Sequence, residues 1–240
     1  MNYSEAIAYR NTFLILTFIL TLSIIRPVFY DKNEKIQIQT SPEKVFGIDV
    51  SHHQGTIDWQ KISEQKQVKF AYVKATEGTY FVDPRNQNNS KSLKQLRIPF
   101  GNYHFFHPNE SASLQANFFL SHIPKYPILP PVLDIEILQS STPEALQKKL
   151  KIWLEIVEEK TNCTPIIYTD LDFWKENIGP NFSKYRLWIA GYNSRLILPK
   201  DLPKWSIWQK TERKKLNGIN GNIDLNELNV PTTSIGDLSC

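Results

Sequence analysis

Seven short apolar runs recur along this chain, at Phe46–Val50, Phe70–Lys74, Phe100–Phe106, Val132–Ile137, Pro165–Thr169, Arg186–Ala190 and Trp205–Gln209. Each is short for a helix, and their content of Val, Ile, Phe and Tyr suits a buried, pleated surface. Helical patterns separate several of them. The clearest is Thr142–Lys160, where Thr142 can cap the first turn and Leu146, Leu150, Trp153, Leu154 and Val157 fall on one face. Ser111–His122 has the same character, with Ala116, Phe119 and Leu120 on one face. Strands alternating with helices imply a parallel sheet, and seven or eight strands in one domain suit a closed barrel better than an open sheet. From Arg186 onward the connections are too short for regular helices. The expected fold is therefore α/β, an irregular TIM-like (β/α) barrel of about eight strands in a single domain.

The first 44 residues have a different composition. Arg10 precedes the apolar run Phe13–Ile25, which Arg26 and Pro27 close. That run is short for a membrane span and fits the core of a secretory signal, yet no small-x-small cleavage pattern follows. Residues 1–30 are expected to be a signal peptide or an uncleaved membrane anchor, 31–44 a polar linker, 45–229 a catalytic barrel and 230–240 a C-terminal tail. Either reading of the first segment places the barrel outside the cytoplasm, secreted or in the cell envelope. An oxidising compartment would permit a Cys163–Cys240 bridge, although two cysteines in a domain with a large core are more often unpaired, and the sequence leaves the pairing open.

The net charge of +4 is spread along the chain with no basic block or Arg-rich arm, so nucleic acid is not an expected partner. A mildly basic surface suits an anionic polymer or a cell wall. Membrane contact is expected only through the N-terminal segment, and the protein is expected to be a monomer.

Chemistry concentrates in Pro131-Val132-Leu133-Asp134-Ile135-Glu136. On a strand, side chains two apart share a face, so Asp134 and Glu136 point the same way out of an apolar run. An unpaired carboxylate in such a place costs several kcal/mol, roughly, unless it has work to do there. Barrel enzymes carry catalytic groups at the C-terminal ends of strands. Asp49 ends the first run, Glu77 lies just past the second, and Asp224 sits in the last apolar stretch, next to the first strand if the barrel closes. Asp49 could instead cap a turn, Glu77 could pair with Lys74, and Asp224 lies between asparagines in turn-like sequence. Asp58 and Asp83 read as a helix-start and a turn residue. The histidines form no convincing metal site, although a metal hydrolase built on Asp49, Asp134 and His104 is a second chemistry the residues allow. No Gly-rich phosphate loop and no Gly-x-Ser-x-Gly elbow is present. Clustered carboxylates suit glycoside hydrolysis, with burial beside other acids keeping Glu136 protonated near neutral pH as the donor.

The motifs together resemble those of the family 25 glycoside hydrolases, the Chalaropsis-type lysozymes. They run in order from Gly47-Ile48-Asp49-Val50-Ser51-His52-His53-Gln54-Gly55 through Ala71-Tyr72-Val73-Lys74-Ala75-Thr76-Glu77-Gly78, Gly101-Asn102-Tyr103-His104, Asp134-Ile135-Glu136, Ile167-Tyr168-Thr169, Trp188-Ile189-Ala190 and Trp208-Gln209 to Ile223-Asp224-Leu225-Asn226. The resemblance implies a barrel of eight strands and cleavage of the β-1,4 bond between N-acetylmuramic acid and N-acetylglucosamine in peptidoglycan, with no cofactor and no metal. Carried onto this chain, it makes Glu136 the acid, Asp134 its neighbour, and Asp49 and Asp224 the other acidic groups of the cleft. Tyr72, Glu77, Tyr103, Tyr168, Trp188, Trp208 and Gln209 are the expected substrate-binding residues. Lys210, where an aromatic is usual, and Leu228, where a Phe is frequent, depart from the pattern. A catalytically silent glycan-binding barrel is the alternative from another class.

Overall fold

The computed structural model describes residues 44–125, 129–192, 205–230 and 233–240. The expected signal or anchor and most of the linker lie outside the described residues. Among the described residues, no helix is long and apolar enough to cross a membrane.

The strands are β1 (Phe46–Val50), β2 (Val68–Glu77), β3 (Phe81–Val82), β4 (Phe100–Phe105), β5 (Val132–Asp134), β6 (Ile166–Asp170), β7 (Arg186–Ala190), β8 (Trp205–Lys214) and β9 (Ile223–Leu228). Their order is β1-β9-β8-β7-β6-β5-β4-β2-β3, and β1 also pairs with β2, so eight strands close into a barrel with the short β3 appended to β2. Neighbours from β1 round to β8 are parallel, whereas β9 runs antiparallel to both β8 and β1. The single-domain α/β barrel expected from the alternating runs is thus present, and its irregular part is where the helices give out.

Four helices matter to the site: α1 (Trp59–Glu64), α2 (Asn86–Gln95), α3 (Ala112–His122) and α4 (Pro143–Thr161). Asp58 caps α1 by accepting from the Lys61 amide, Ser111 caps α3 and Thr142 caps α4. The apolar stripe of α4, from Leu146 to Val157, is buried against β5, β6 and β7 in one core cluster. Truncating any of its leucines to Ala would cost about 2–5 kcal/mol.

Inside the barrel the floor is aromatic. Phe70 and Tyr72 of β2 fill it, and two glycines on neighbouring strands make room for them. A Cβ at Gly47 would meet the Phe70 ring at 2.4 Å, and one at Gly101 would meet the Tyr72 ring at 2.4 Å. From below, Leu238 of the C-terminal tail packs fully buried into the same cluster as Phe70, Ile207 and Leu228.

Two expectations are corrected. The run Val132–Ile137 is a strand only as far as Asp134: the backbone leaves the sheet there, while Ile135 still buries itself in the outer core and keeps the run apolar. Glu136 therefore stands on the loop beyond β5, not on the strand. Cys163 and Cys240, whose pairing the sequence leaves open, are joined in a disulfide, which ties the tail to the segment before β6. On α3, Ala116 and Phe119 are buried with Leu120 packed against the same core, as expected, and Gln115 joins them because its amide hydrogen-bonds His104 and the backbone of His107.

Candidate active site

At the C-terminal ends of the parallel strands lies a cleft of about 270 Å³. Asp49 reaches it from β1, Lys74 from β2, Tyr103 from β4, Asp134 from the last residue of β5, Tyr168 from β6, Trp188 from β7 and Gln209 from β8. Because β9 runs the other way, its second residue, Asp224, arrives at the same rim. The four acids expected to meet do meet, in two pairs on different walls.

The first pair is Asp134 and Glu136. Asp134 is buried, its Oδ1 has no hydrogen-bond partner, and burial followed by the charge of Glu136 drives its pKa well above the carboxylate range. Glu136 is exposed to the cleft, yet the walls strip enough water from it to raise its pKa as well. The neighbouring Asp134 carboxyl and the charge of Lys74 work against that rise, and Asp170 adds to it. Two carboxyl groups that act on each other directly titrate as a unit. A buried acceptor with no donor, in a cleft, is a place for a ligand N–H or O–H.

The second pair is Asp49 and Asp224, directly opposite each other across β1 and β9. Burial and then the Asp224 charge push Asp49 well up, although Asn226 and Gln209 both donate to its Oδ2, at 2.7 and 3.1 Å. Asp224 is pushed up to about 6, mainly by burial, with the charges of Glu212 and Glu136 adding to it. Both carboxyl groups of this pair therefore resist ionisation, and they titrate together rather than singly.

A hydrogen-bonded frame locks the second pair in place. Trp188 Nε1 donates to Asn226 Oδ1 at 2.8 Å, orienting the amide that serves Asp49. The hydroxyls of Tyr168 and Tyr192 each donate to Gln209 Oε1 at 2.9 Å, which turns its amide nitrogen toward Asp49. Tyr192 is 54 % exposed and its ring is open to a ligand.

Other expected residues fall elsewhere. Tyr72 is fully buried in the floor and offers no face to a sugar. Trp208 does not line the cleft: it alternates with Gln209 on β8 and therefore faces outward, its Nε1 donating to Gly191 O and the Lys210 ammonium lying 4.7 Å from its ring centroid. The two departures from the family pattern are likewise outside the cleft, Lys210 paired with Glu227 on the outer face and Leu228 in the floor. Glu77 is not among the cleft-lining residues: it binds Lys74 Nζ at 2.6 Å and His107 Nε2 at 3.0 Å. Burial opposes ionisation of Glu77, but those two hydrogen bonds outweigh it and hold its pKa below the ordinary value. Asp83 is buried in the turn before α2, accepting from both the backbone and the ring of His52.

His104 is fully buried behind the barrel wall, bonded to Thr76 and Gln115 and stacked on Trp153. Burial pushes its pKa down to about 3. Asp49, Asp134 and His104 therefore do not assemble, and among the described residues no group of three His, Cys, Asp or Glu side chains is placed to hold a metal ion.

Lys74, Asn226 and Tyr192 were not among the expected site residues. Asn226 shares a strand face with Asp224 by the two-residue period, and Lys74 is a charge inside an apolar strand; both signals are in the sequence. Nothing around Tyr192 marks it.

A closed barrel that gathers carboxyl groups and sugar-sized aromatic faces at the C-terminal rim of its strands is the architecture of a barrel glycoside hydrolase. Comparison with known proteins narrows the class. The model of glycosyl hydrolases family 25 matches residues 48–219, and the chain belongs to that family of lysozymes and muramidases, which act on peptidoglycan. It is 36 % identical over 209 residues to YegX of Escherichia coli K12, covering 85 % of this chain and 75 % of that protein. Lysozyme M1 of Streptomyces globisporus is 32 % identical over 200 residues, covering 77 % of this chain and 68 % of that one. The solved structure of a family 25 glycosyl hydrolase from Bacillus anthracis superposes with a TM-score of 0.72 at 31 % identity, over 79 % of this chain and 94 % of that one.

Proposed function

We propose that this protein is an N-acetylmuramidase that cleaves the β-1,4 bond between N-acetylmuramic acid and N-acetylglucosamine, with Glu136 as proton donor. The observation that carries the assignment is the unequal placement of two neighbouring carboxyl groups, one buried and one open to the cleft. The open one, with its raised pKa, can reach a leaving oxygen and still hold a proton to give it.

Asp134 and Glu136 are near neighbours that act on each other directly, an arrangement unlike an inverting pair, whose carboxyls stand about 6.5–9.5 Å apart around a water. The geometry instead suits participation of the substrate's own 2-acetamido group. Asp134 Oδ1, lacking a donor, accepts the acetamido N–H. The acetamido oxygen attacks the anomeric carbon as Glu136 protonates the departing oxygen and the glycosidic bond breaks. Glu136, now a carboxylate, then takes a proton from the water that opens the cyclic intermediate. Asp49 and Asp224 face this centre from across the cleft, where their carboxyl groups can hold sugar hydroxyls and offset the positive charge that develops on the ring.

Export fits the same reading. A disulfide persists in oxidising compartments, where peptidoglycan is also found, and residues 1–30 would supply the signal or anchor.

The test is to digest purified peptidoglycan and identify the products by mass spectrometry. Fragments ending in a reducing N-acetylmuramic acid are expected, and reducing N-acetylglucosamine ends would overturn the bond assignment. Glu136→Gln should lose about 10²–10⁴-fold in rate, the usual contribution of a general acid. Full activity in that variant would remove Glu136 from the role.

A further inference from the structure

Lys74 is the only Lys or Arg among the described residues that line the cleft. It is 7 % exposed, and its ammonium lies 5.2 Å from the ring centroid of Phe105 and 5.7 Å from that of Phe81, clamped between a strand of the barrel and the β3 edge. Its partner is Glu77 Oε2 at 2.6 Å, three residues on along the same irregular strand. Glu77 is in turn held by His107 Nε2, and the other ring nitrogen of His107 faces Gln139 and Glu110. A buried ammonium so firmly fixed cannot follow a substrate; it supplies a field of constant position. That field falls on the acid pair, since Lys74 lines the same cleft as Asp134 and Glu136 and its charge favours the ionised form of both.

We propose that Lys74 is a positioning residue of the hydrolysis: clamped by Phe81, Phe105 and Glu77 in the wall of the cleft that holds Asp134 and Glu136, its fixed positive charge favours a carboxylate on Asp134, which can then accept the acetamido N–H while Glu136 donates. Glu77, outside the cleft, sets how much of that charge the pair feels. The inference rests on the assignment of Glu136 and Asp134 given above. The groups facing the pair are Lys74 from β2, Asp49 from β1, Tyr103 from β4, Tyr168 and Asp170 from β6, and Asp224 from β9, with Glu77 and His107 behind Lys74. His53 and Glu212 line the same cleft, and Lys74 is its only Lys or Arg among the described residues.

Two substitutions with opposite signs test this. Removing the ammonium in Lys74→Met makes both protons of the pair harder to lose, so both limbs of the pH profile of kcat/KM should move to higher pH. A move of about 0.5–1 pH unit is expected, the size for one partly compensated charge at an effective dielectric near 20. Glu77→Gln leaves the ammonium in place and removes its counter-charge, so both limbs should move to lower pH. Lys74→Arg should restore the wild-type profile. A merely structural role would lower the rate of either variant and leave the limbs where they are, and that result would overturn the proposal, as would shifts of the same sign. If Lys74→Met fails to fold, as judged by circular dichroism, Glu77→Gln decides alone: an acid shift supports the proposal and an unmoved profile overturns it. Glu136→Gln, run alongside, separates the two levels. Activity in Glu136→Gln removes the underlying assignment, whereas an inactive Glu136→Gln with unmoved limbs in Lys74→Met removes only this one.

Discussion

Asp49 and Asp224 stand opposite each other in the antiparallel pairing of β1 with β9, so the strand that closes the barrel also creates its second acid pair. Like charges facing across a ladder cost stability unless a proton lies between them. Both groups have folded pKa values raised above the ordinary 3.8, Asp224 to about 6. Above the unfolded pKa the folded state then binds more protons than the unfolded chain, and stability falls as pH rises through the window from about 4 to 6 and beyond. Asp224→Asn removes that penalty. The variant should unfold at a higher temperature than wild type at pH 7, by on the order of 2 kcal/mol, and with a smaller gain at pH 4, while losing activity. Thermal unfolding at the two pH values checks it; an equal gain at both would dissociate the effect from the titration of the pair.

Tyr192 presents an open ring at the cleft, whereas Trp208 faces out of the barrel. If the ring stacks on a sugar, Tyr192→Ala should raise KM for soluble glycan fragments by about 2–13-fold, the range for an aromatic contact of roughly 0.5–1.5 kcal/mol. Trp208→Phe should leave KM unchanged. Steady-state kinetics of both variants on one substrate would reverse the assignment if only Trp208→Phe raised KM.

Gly101 is required by the Tyr72 ring, which is itself packed 4.9 Å from Trp188. Gly101→Ala drives a methyl into a ring with no room to retreat, and should cost about 1–3 kcal/mol in denaturant unfolding. Activity should fall too, because Trp188 orients Asn226 and through it Asp49. Adding Tyr72→Leu should recover part of the stability lost; no recovery would place the strain elsewhere.

The Cys163–Cys240 bridge spans 77 residues of sequence and fastens the tail whose Leu238 plugs the barrel floor. Cys240→Ser should lower stability by about 2–4 kcal/mol. Reductant should bring the wild-type unfolding temperature down to that of the variant and leave the variant itself unmoved. A wild type indifferent to reductant would show that the tail holds without the bridge.

What the sequence disclosed follows from where each residue is buried. Strands enclosed on both faces wrote themselves as apolar runs, and the stripe of α4 wrote itself at helical spacing. Val132–Ile137 read too long because Ile135 stays buried after the backbone has left the sheet. Helix α2 was illegible for the opposite reason: it seats polar groups inward, with Asn86 accepting from Asn102 and Asn89 accepting from Trp59, and Leu93 is the only apolar side chain it buries. The four carboxylates stood out because charge inside apolar sequence has few structural uses. The aromatics did not, since a Tyr in the floor, such as Tyr72, and one at the rim, such as Tyr168, look alike until the barrel's inside and outside are known. Alternation with Gln209 would have placed Trp208 on the outer face. The cysteine pairing depends on the tail's path beneath the barrel, which no local pattern records.

Gln209 is fully committed: two tyrosine hydroxyls share its carbonyl oxygen, and its nitrogen serves Asp49. One of those hydroxyls belongs to Tyr192, the most accessible tyrosine at the cleft. Grip on the glycan and acidity at the second pair are therefore mechanically geared through one amide. A lineage or an engineer adjusting Tyr192 for a modified sugar would retune Asp49 in the same stroke, so adaptation to new walls would proceed by compensated pairs of changes rather than by independent single steps.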